Sequence, residues 1–143
     1  MRLLLMRHGH AESRDHDPAL AAHGVAAVRA TLERPWPAPA LLVHSPLLRA
    51  RQTAALCAER WPAARRLEDA AFVPGHHADA AGPRLLELAA GCGMVLLVSH
   101  LPLLPALCDW LCDERLDFEP ADAVLLEAED DVAWQGAFTR VVT

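Results

Sequence analysis

The chain has 143 residues, 53% of them hydrophobic, and a formal net charge of −6. That length suits one domain over residues 1–143, with enough apolar content for a packed core and against disorder; the acidity argues against nucleic acid or an anionic membrane as partner. Every basic residue other than histidine is arginine, and a chain without lysine has no P-loop lysine, Schiff-base lysine or kinase lysine.

The first element is predicted at Arg2–Met6, where Leu3-Leu4-Leu5-Met6 reads as a short buried strand. It ends in Arg7-His8-Gly9. Ligands of open α/β sheets bind at the carboxyl ends of strands. There a guanidinium fork suits an oxyanion, an imidazole can act as nucleophile, and a glycine lets backbone approach closely. A helix is predicted over Ala19–Leu32, followed by the proline-rich Pro35-Trp36-Pro37-Ala38-Pro39. The second strand, Ala40–His44, leads into Ser45-Pro46 and a helix over Leu47–Arg60. Ser45 reads as its N-cap and Pro46 as its first residue, which puts Arg49 one turn into a helix whose positive end favours an anion.

Further on, a strand is predicted at Arg65–Leu67 and a helix at Ala80–Ala90. The strand Gly93–Val98 exits into Ser99-His100-Leu101-Pro102, with a helix over Pro102–Cys112. The tail changes character: Ala123–Glu127 and Val132–Phe138 flank Glu129-Asp130-Asp131 and read as a hairpin. Strand–helix alternation with buried strands implies an α/β fold, a three-layer α/β/α sandwich on a mostly parallel sheet, with the hairpin extending one edge. No apolar run has the length of a membrane span, and the quickly charged start is unlike a signal peptide. Cys57, Cys92, Cys108 and Cys112 form no C-x-x-C pair. Cys108 and Cys112, four apart on a helix, could supply half a metal site; the preferred reading is small buried apolar residues without disulfides, which fits a cytoplasmic location.

Three strand ends thus deliver Arg7 and His8, then Arg49, then His100. The order Arg7-His8-Gly9, Ser45-Pro46-x-x-Arg49-Ala50-x-Gln52-Thr53 and Val98-Ser99-His100-x-Pro102 resembles the histidine phosphatase superfamily, and the close spacing resembles its small bacterial SixA-type phosphohistidine phosphatases. The resemblance runs from Met1 to about Asp113. One departure is visible: Leu20-Ala21 stands where the family usually has Leu-Thr, a change expected to touch a helix start and not the phosphate pocket.

The resemblance implies a phosphoglycerate mutase-like fold and a covalent mechanism. His8 would be the nucleophile, presenting a neutral nitrogen kept unprotonated by the two arginines. Arg7 and Arg49 would clamp phosphoryl oxygens and His100 would donate to a third, so Arg7, His8, Arg49 and His100 are at once the catalytic and the phosphate-binding set. No metal and no cofactor is required, because cationic side chains supply the charge. His44, Ser45 and Ser99 read as residues that order the backbone first. A general acid is not evident; Glu68, Asp69 and Asp79 are candidates, with His76 and His77 beside the last. Asp79 is the candidate for that acid and reads equally well as a helix N-cap, whereas Glu68 and Asp69 read as a solvated strand end.

The short stretch from Arg49 to His100 leaves little room for a lid, which suits a phosphoryl group presented on a protein surface. The expected partner is a phosphorylated protein, such as a histidine-containing phosphotransfer protein. Three alternatives stand beside this: a small-molecule phosphomonoesterase of the same superfamily, a non-catalytic phosphate-binding regulatory module, and a metal-dependent hydrolase built on His8-x-His10, Asp15, His16 and His100.

Overall fold

The structure is a computed structural model that describes residues 1–129 and 134–141. Among the described residues, six strands form one sheet: β1 (Arg2–Arg7), β2 (Leu41–His44), β3 (Arg65–Glu68), β4 (Met94–Ser99), β5 (Ala123–Glu127) and β6 (Thr139–Val141), in the order β3-β2-β4-β1-β5-β6. β1, β2, β3 and β4 run parallel, while β5 and β6 are antiparallel at one side. Among the described residues, four α-helices cover the sheet: α1 (Ala22–Leu32), α2 (Leu48–Arg60), α3 (Ala78–Ala89) and α4 (Leu103–Cys112).

The expected three layers are present. β1 and β4 are apolar on both faces because both faces are covered. Leu3, Leu5, Val95 and Leu97 join Leu85 of α3 and Leu104 and Leu107 of α4 in one core. Leu4, Met6, Leu96 and Val98 point the other way, into a core with Val28 of α1 and Ala54 and Cys57 of α2. Among the described residues, no helix is long and apolar enough to cross a membrane.

Element boundaries differ from the sequence expectation where tertiary hydrogen bonds claim the backbone. The first helix begins at Ala22, not Ala19. Glu12 N donates to Ala19 O and Ala21 N to His10 O, so this stretch is tied to the loop after β1. Ala21 holds the N-cap position with no side-chain cap, as expected from the missing threonine. α2 begins at Leu48, not with Ser45 as cap and Pro46 as first residue. Its first free N–H, that of Leu48, is capped from outside by Asp17 Oδ1 at 2.7 Å. At the C-terminus the hairpin partner of β5 is Thr139–Val141, not Val132–Phe138. Val132 and Ala133 lie outside the described residues. Gly136 N and Phe138 N donate to Trp110 O and Leu111 O, so this stretch is bonded to the end of α4 and is not free for the sheet.

Two motif features are explained by close packing. A Cβ on Gly9 would sit 2.9 Å from Gly24 O and 2.9 Å from Val28 Cγ2, and one on Gly24 would meet the backbone of His10. The glycines therefore let α1 dock on the loop that follows β1. The close approach at Gly9 is to a helix and not, as the sequence alone suggested, to a ligand.

Candidate active site

Strand register gathers the motif residues. Met6 pairs with Val98, and Val98 with His44, so these three lie in one row across the sheet. One residue further on come Arg7 and Ser99, paired, and Ser45; His8 and His100 follow. All lie at the carboxyl ends of parallel strands, where α2 also begins. Arg7, His8, Arg49 and His100 line one cavity of about 260 Å³, together with Ala11, Ser13, Arg14 and Asp15.

Each side chain is held by its own partner. His8 is buried, and its Nδ1 lies 2.7 Å from Gly9 O. A carbonyl only accepts, so Nδ1 carries the proton and Nε2 keeps its lone pair. Arg49 Nε donates to that lone pair at 3.2 Å. Arg7 Nη1 donates to Phe118 O at 2.9 Å. Thr53 Oγ1 accepts from Gly9 N and donates to Arg49 O, while Gln52 Oε1 accepts from Leu20 N. The Gln-Thr pair thus ties α2 to the strand exit and to the start of α1. Ser99 Oγ donates to Phe72 O, and His44 Nδ1 to Ser45 O; both order backbone, as expected. Ser45 does more, because its Oγ lies 2.5 Å from His100 Nε2. Two buried polar atoms have no hydrogen-bond partner among the described residues, Arg7 Nε and His100 Nδ1. Buried polar atoms left unpaired are costly, and here both belong to residues lining the same cavity.

Burial is the main reason that His8 is neutral: it pulls the imidazole down to about 4, against the Gly9 carbonyl, with Arg49, Arg7 and His10 adding to the fall. The two arginines act in the expected direction, and desolvation is the larger cause. His100 is pulled down to about 3 by burial first, then by His8, Arg49 and Arg7. Burial also lowers Arg7, while Glu119 and Asp122 oppose it. The unfolded chain binds protons on these histidines near pH 6.5 and the folded chain does not. Stability from this source is therefore full above pH 6.5 and is lost as pH falls towards the folded values. His8 alone is expected to cost about 2 kcal/mol between pH 7 and pH 5. Urea unfolding at both pH values checks this, since His8→Gln should remove that part of the drop. An equal drop in the variant would contradict the neutral, buried His8.

The acid candidates do not reach this cavity. Asp79 is exposed in the first turn of α3, is not its N-cap, and is not among the lining residues; His76 and His77 are exposed beside it. Glu68 pairs with Arg51 at 3.6 Å. Asp69 is not solvated but accepts from Ala71 N and bridges to Arg84 Nε at 2.8 Å. The carboxylates at the site come from the loop after His8. Asp15 lines the first cavity, and Glu12 lines an adjoining one of about 440 Å³ that also touches Arg7 and His8. Their sequence signal is their nearness to His8 in the chain.

The proposed metal set does not form a ligand shell. His8, Asp15 and His100 share the cavity, but His10 lies against His23, with ring centroids 4.5 Å apart, and no three His, Cys, Asp or Glu among the described residues are placed to hold a metal ion. Cys108 is buried, and burial pushes its thiol up to about 12, as befits an apolar core residue.

The sequence pattern of the histidine phosphatase superfamily (branch 1) matches residues 3–71. No curated protein matches the sequence. Solved structures do match the fold. The protein histidine phosphatase SixA complexed with tungstate superposes with a TM-score of 0.83 at 22% identity, over 99% of this chain and 95% of that one. The putative phosphohistidine phosphatase SixA from Nakamurella multipartitia gives 0.81 at 28% identity, over 99% and 93%. A mycobacterial glucosyl-3-phosphoglycerate phosphatase in complex with VO3 gives 0.76 at 21% identity, over 99% and 98%.

Proposed function

We propose that this chain, which has the sequence motifs and the fold of the histidine phosphatase superfamily, is a metal-independent phosphatase that removes phosphate from phosphohistidine on a protein. The observation that carries the reading is His8 Nε2, an unprotonated nitrogen facing Arg49 Nε at 3.2 Å, in a cavity shared with Arg7 and His100.

In this reading a phosphoryl group enters between Arg49 and His8 and takes over the donor that now rests on Nε2. Arg7, Arg49 and His100 hold its equatorial oxygens, where phosphoryl transfer develops charge. The Nε2 lone pair attacks phosphorus in line, the bond from phosphorus to the substrate nitrogen breaks, and the departing imidazole leaves with its proton. Water then attacks the phosphoryl on His8, the P–Nε2 bond breaks, and inorganic phosphate and neutral His8 are regenerated.

The lining of the site favours a phosphorus–nitrogen bond. An alkoxide leaving group is a strong base and needs a proton from the enzyme, whereas an imidazole is far less basic and can carry its own. The carboxylates at hand, Asp15 and Glu12, sit on an exposed loop and are not buried against the nucleophile. The likeness to a phosphatase of a small phosphorylated metabolite keeps the phosphomonoesterase reading as the second one. Measured kcat/KM is expected to fall in the order phosphohistidine protein, aryl phosphate, sugar phosphate, and to be unaffected by a chelator. Efficient sugar phosphate hydrolysis with inert phosphohistidine would select the second reading; activity lost to a chelator and restored by zinc would overturn metal independence.

A further inference from the structure

Ser45 is fully buried, and among the described residues its hydroxyl has two hydrogen-bond partners: His100 Nε2 at 2.5 Å and Leu47 N at 3.4 Å. Leu47 N–H can only donate, so it takes a lone pair of Ser45 Oγ. The hydroxyl hydrogen, out of reach of water, has a single acceptor among the described residues, His100 Nε2. A ring nitrogen that accepts carries no proton, and the hydrogen bond at one nitrogen of a neutral imidazole decides which tautomer is present. The proton of a neutral His100 then sits on Nδ1, the atom that is buried without a partner. Had Nε2 kept the proton, Ser45 would hold a buried hydrogen with nowhere to go, and Nδ1 would offer a phosphoryl oxygen only a lone pair.

We propose that Ser45 is a positioning residue whose hydroxyl donates to His100 Nε2, fixes the ring as the Nδ1–H tautomer, and thereby makes His100 a hydrogen-bond donor to a bound phosphoryl oxygen. The role in turnover rests on the phosphatase reading above; the tautomer itself does not. The lowered proton affinity of His100, pulled down to about 3 by burial first, agrees with a neutral ring. Neutral His100 needs this help, because a protonated ring would donate from both nitrogens whatever Ser45 did.

Two-bond proton–nitrogen correlation on the uniformly labelled full chain at pH 7 tests this. The wild type is expected to show His100 protonated at Nδ1 and bare at Nε2, with the Nδ1 signal moving on addition of inorganic phosphate. In Ser45→Ala the proton is expected to redistribute towards Nε2 and phosphate to bind more weakly. Deleting a donor to an oxyanion costs about 10²–10³ in kcat, and releasing its tautomer is expected to cost less, about tenfold. Ser45→Thr, which keeps the hydroxyl, restores the wild-type tautomer; if its extra methyl prevents folding, the wild type and Ser45→Ala decide. A wild-type His100 protonated at Nε2, or a tautomer unchanged in Ser45→Ala, overturns the proposal. Neither measurement needs turnover. A chain with the expected tautomer and phosphate response that hydrolyses no phosphohistidine and no phosphate ester would discard the phosphatase reading and keep this one; turnover with the other tautomer would do the reverse.

Discussion

His8→Ala is expected to lower kcat on phosphohistidine protein and aryl phosphate alike by on the order of 10⁴–10⁶. The reason is the state in which the fold holds that ring. Its Nδ1 proton is committed to Gly9 O, burial keeps it neutral, and Nε2 is left with the lone pair. Alanine offers nothing for phosphorus to bond to, so the covalent route is closed and not merely slowed. The fold should survive, because His8 lies past the end of β1 and the core side chains of that strand, Leu3 to Met6, are untouched. Far-ultraviolet circular dichroism and an unfolding curve verify folding, and rapid-quench labelling with phosphorylated protein looks for acid-labile phosphate on the chain. Wild type should retain the label transiently and His8→Ala should not. If the variant keeps more than about a tenth of the wild-type rate, His8 is not the nucleophile.

Arg49→Ala is the second large effect. The guanidinium meets His8 Nε2 directly and sits in the first turn of α2, where the helix dipole adds to its charge. Losing a preorganised donor to a charged transition state costs about 2.7–4 kcal/mol, or about 10²–10³ in kcat. Inhibition by inorganic phosphate should weaken in parallel, since the same group serves the bound anion. Arg51 is the internal control. It lies two residues along the same helix, about half a turn away, and pairs with Glu68 between two exposed side chains. Exposed pairs of this kind are worth about 0–1 kcal/mol, so Arg51→Ala should leave kcat/KM close to that of the wild type. Comparable losses from the two variants would mean that general positive charge, and not the placement of Arg49, supports the reaction.

Local pattern carried much of this molecule. The apolar runs at Leu3–Met6, Leu41–Val43 and Met94–Val98 read as strands buried on both faces, and the stretches between them as covering helices, and the two cores of the structure bear out that layered α/β arrangement. Arg7, His8 and His100 were legible because each stands just beyond one of those runs, and Arg49 because it opens the helix that follows another; chemistry in such sheets collects at strand ends. What the sequence could not supply is anything that depends on register or on partners distant in the chain. Only the pairing of Met6 with Val98 and of Val98 with His44 brings three strand ends level and sets Ser45 against His100. Read locally, Ser45-Pro46 looks like a helix cap, yet the tertiary hydrogen bond to a residue 55 positions away claims the hydroxyl, and Asp17 caps α2 in its place. The same holds for Asp79, a carboxylate suitably placed in the chain but carried outward on the first turn of α3, and for Asp15 and Glu12, which the loop after β1 folds back to the cavity. Short-range steric and hydrophobic preferences choose the elements; which polar groups meet is fixed only when the packed sheet sets the distances between their ends.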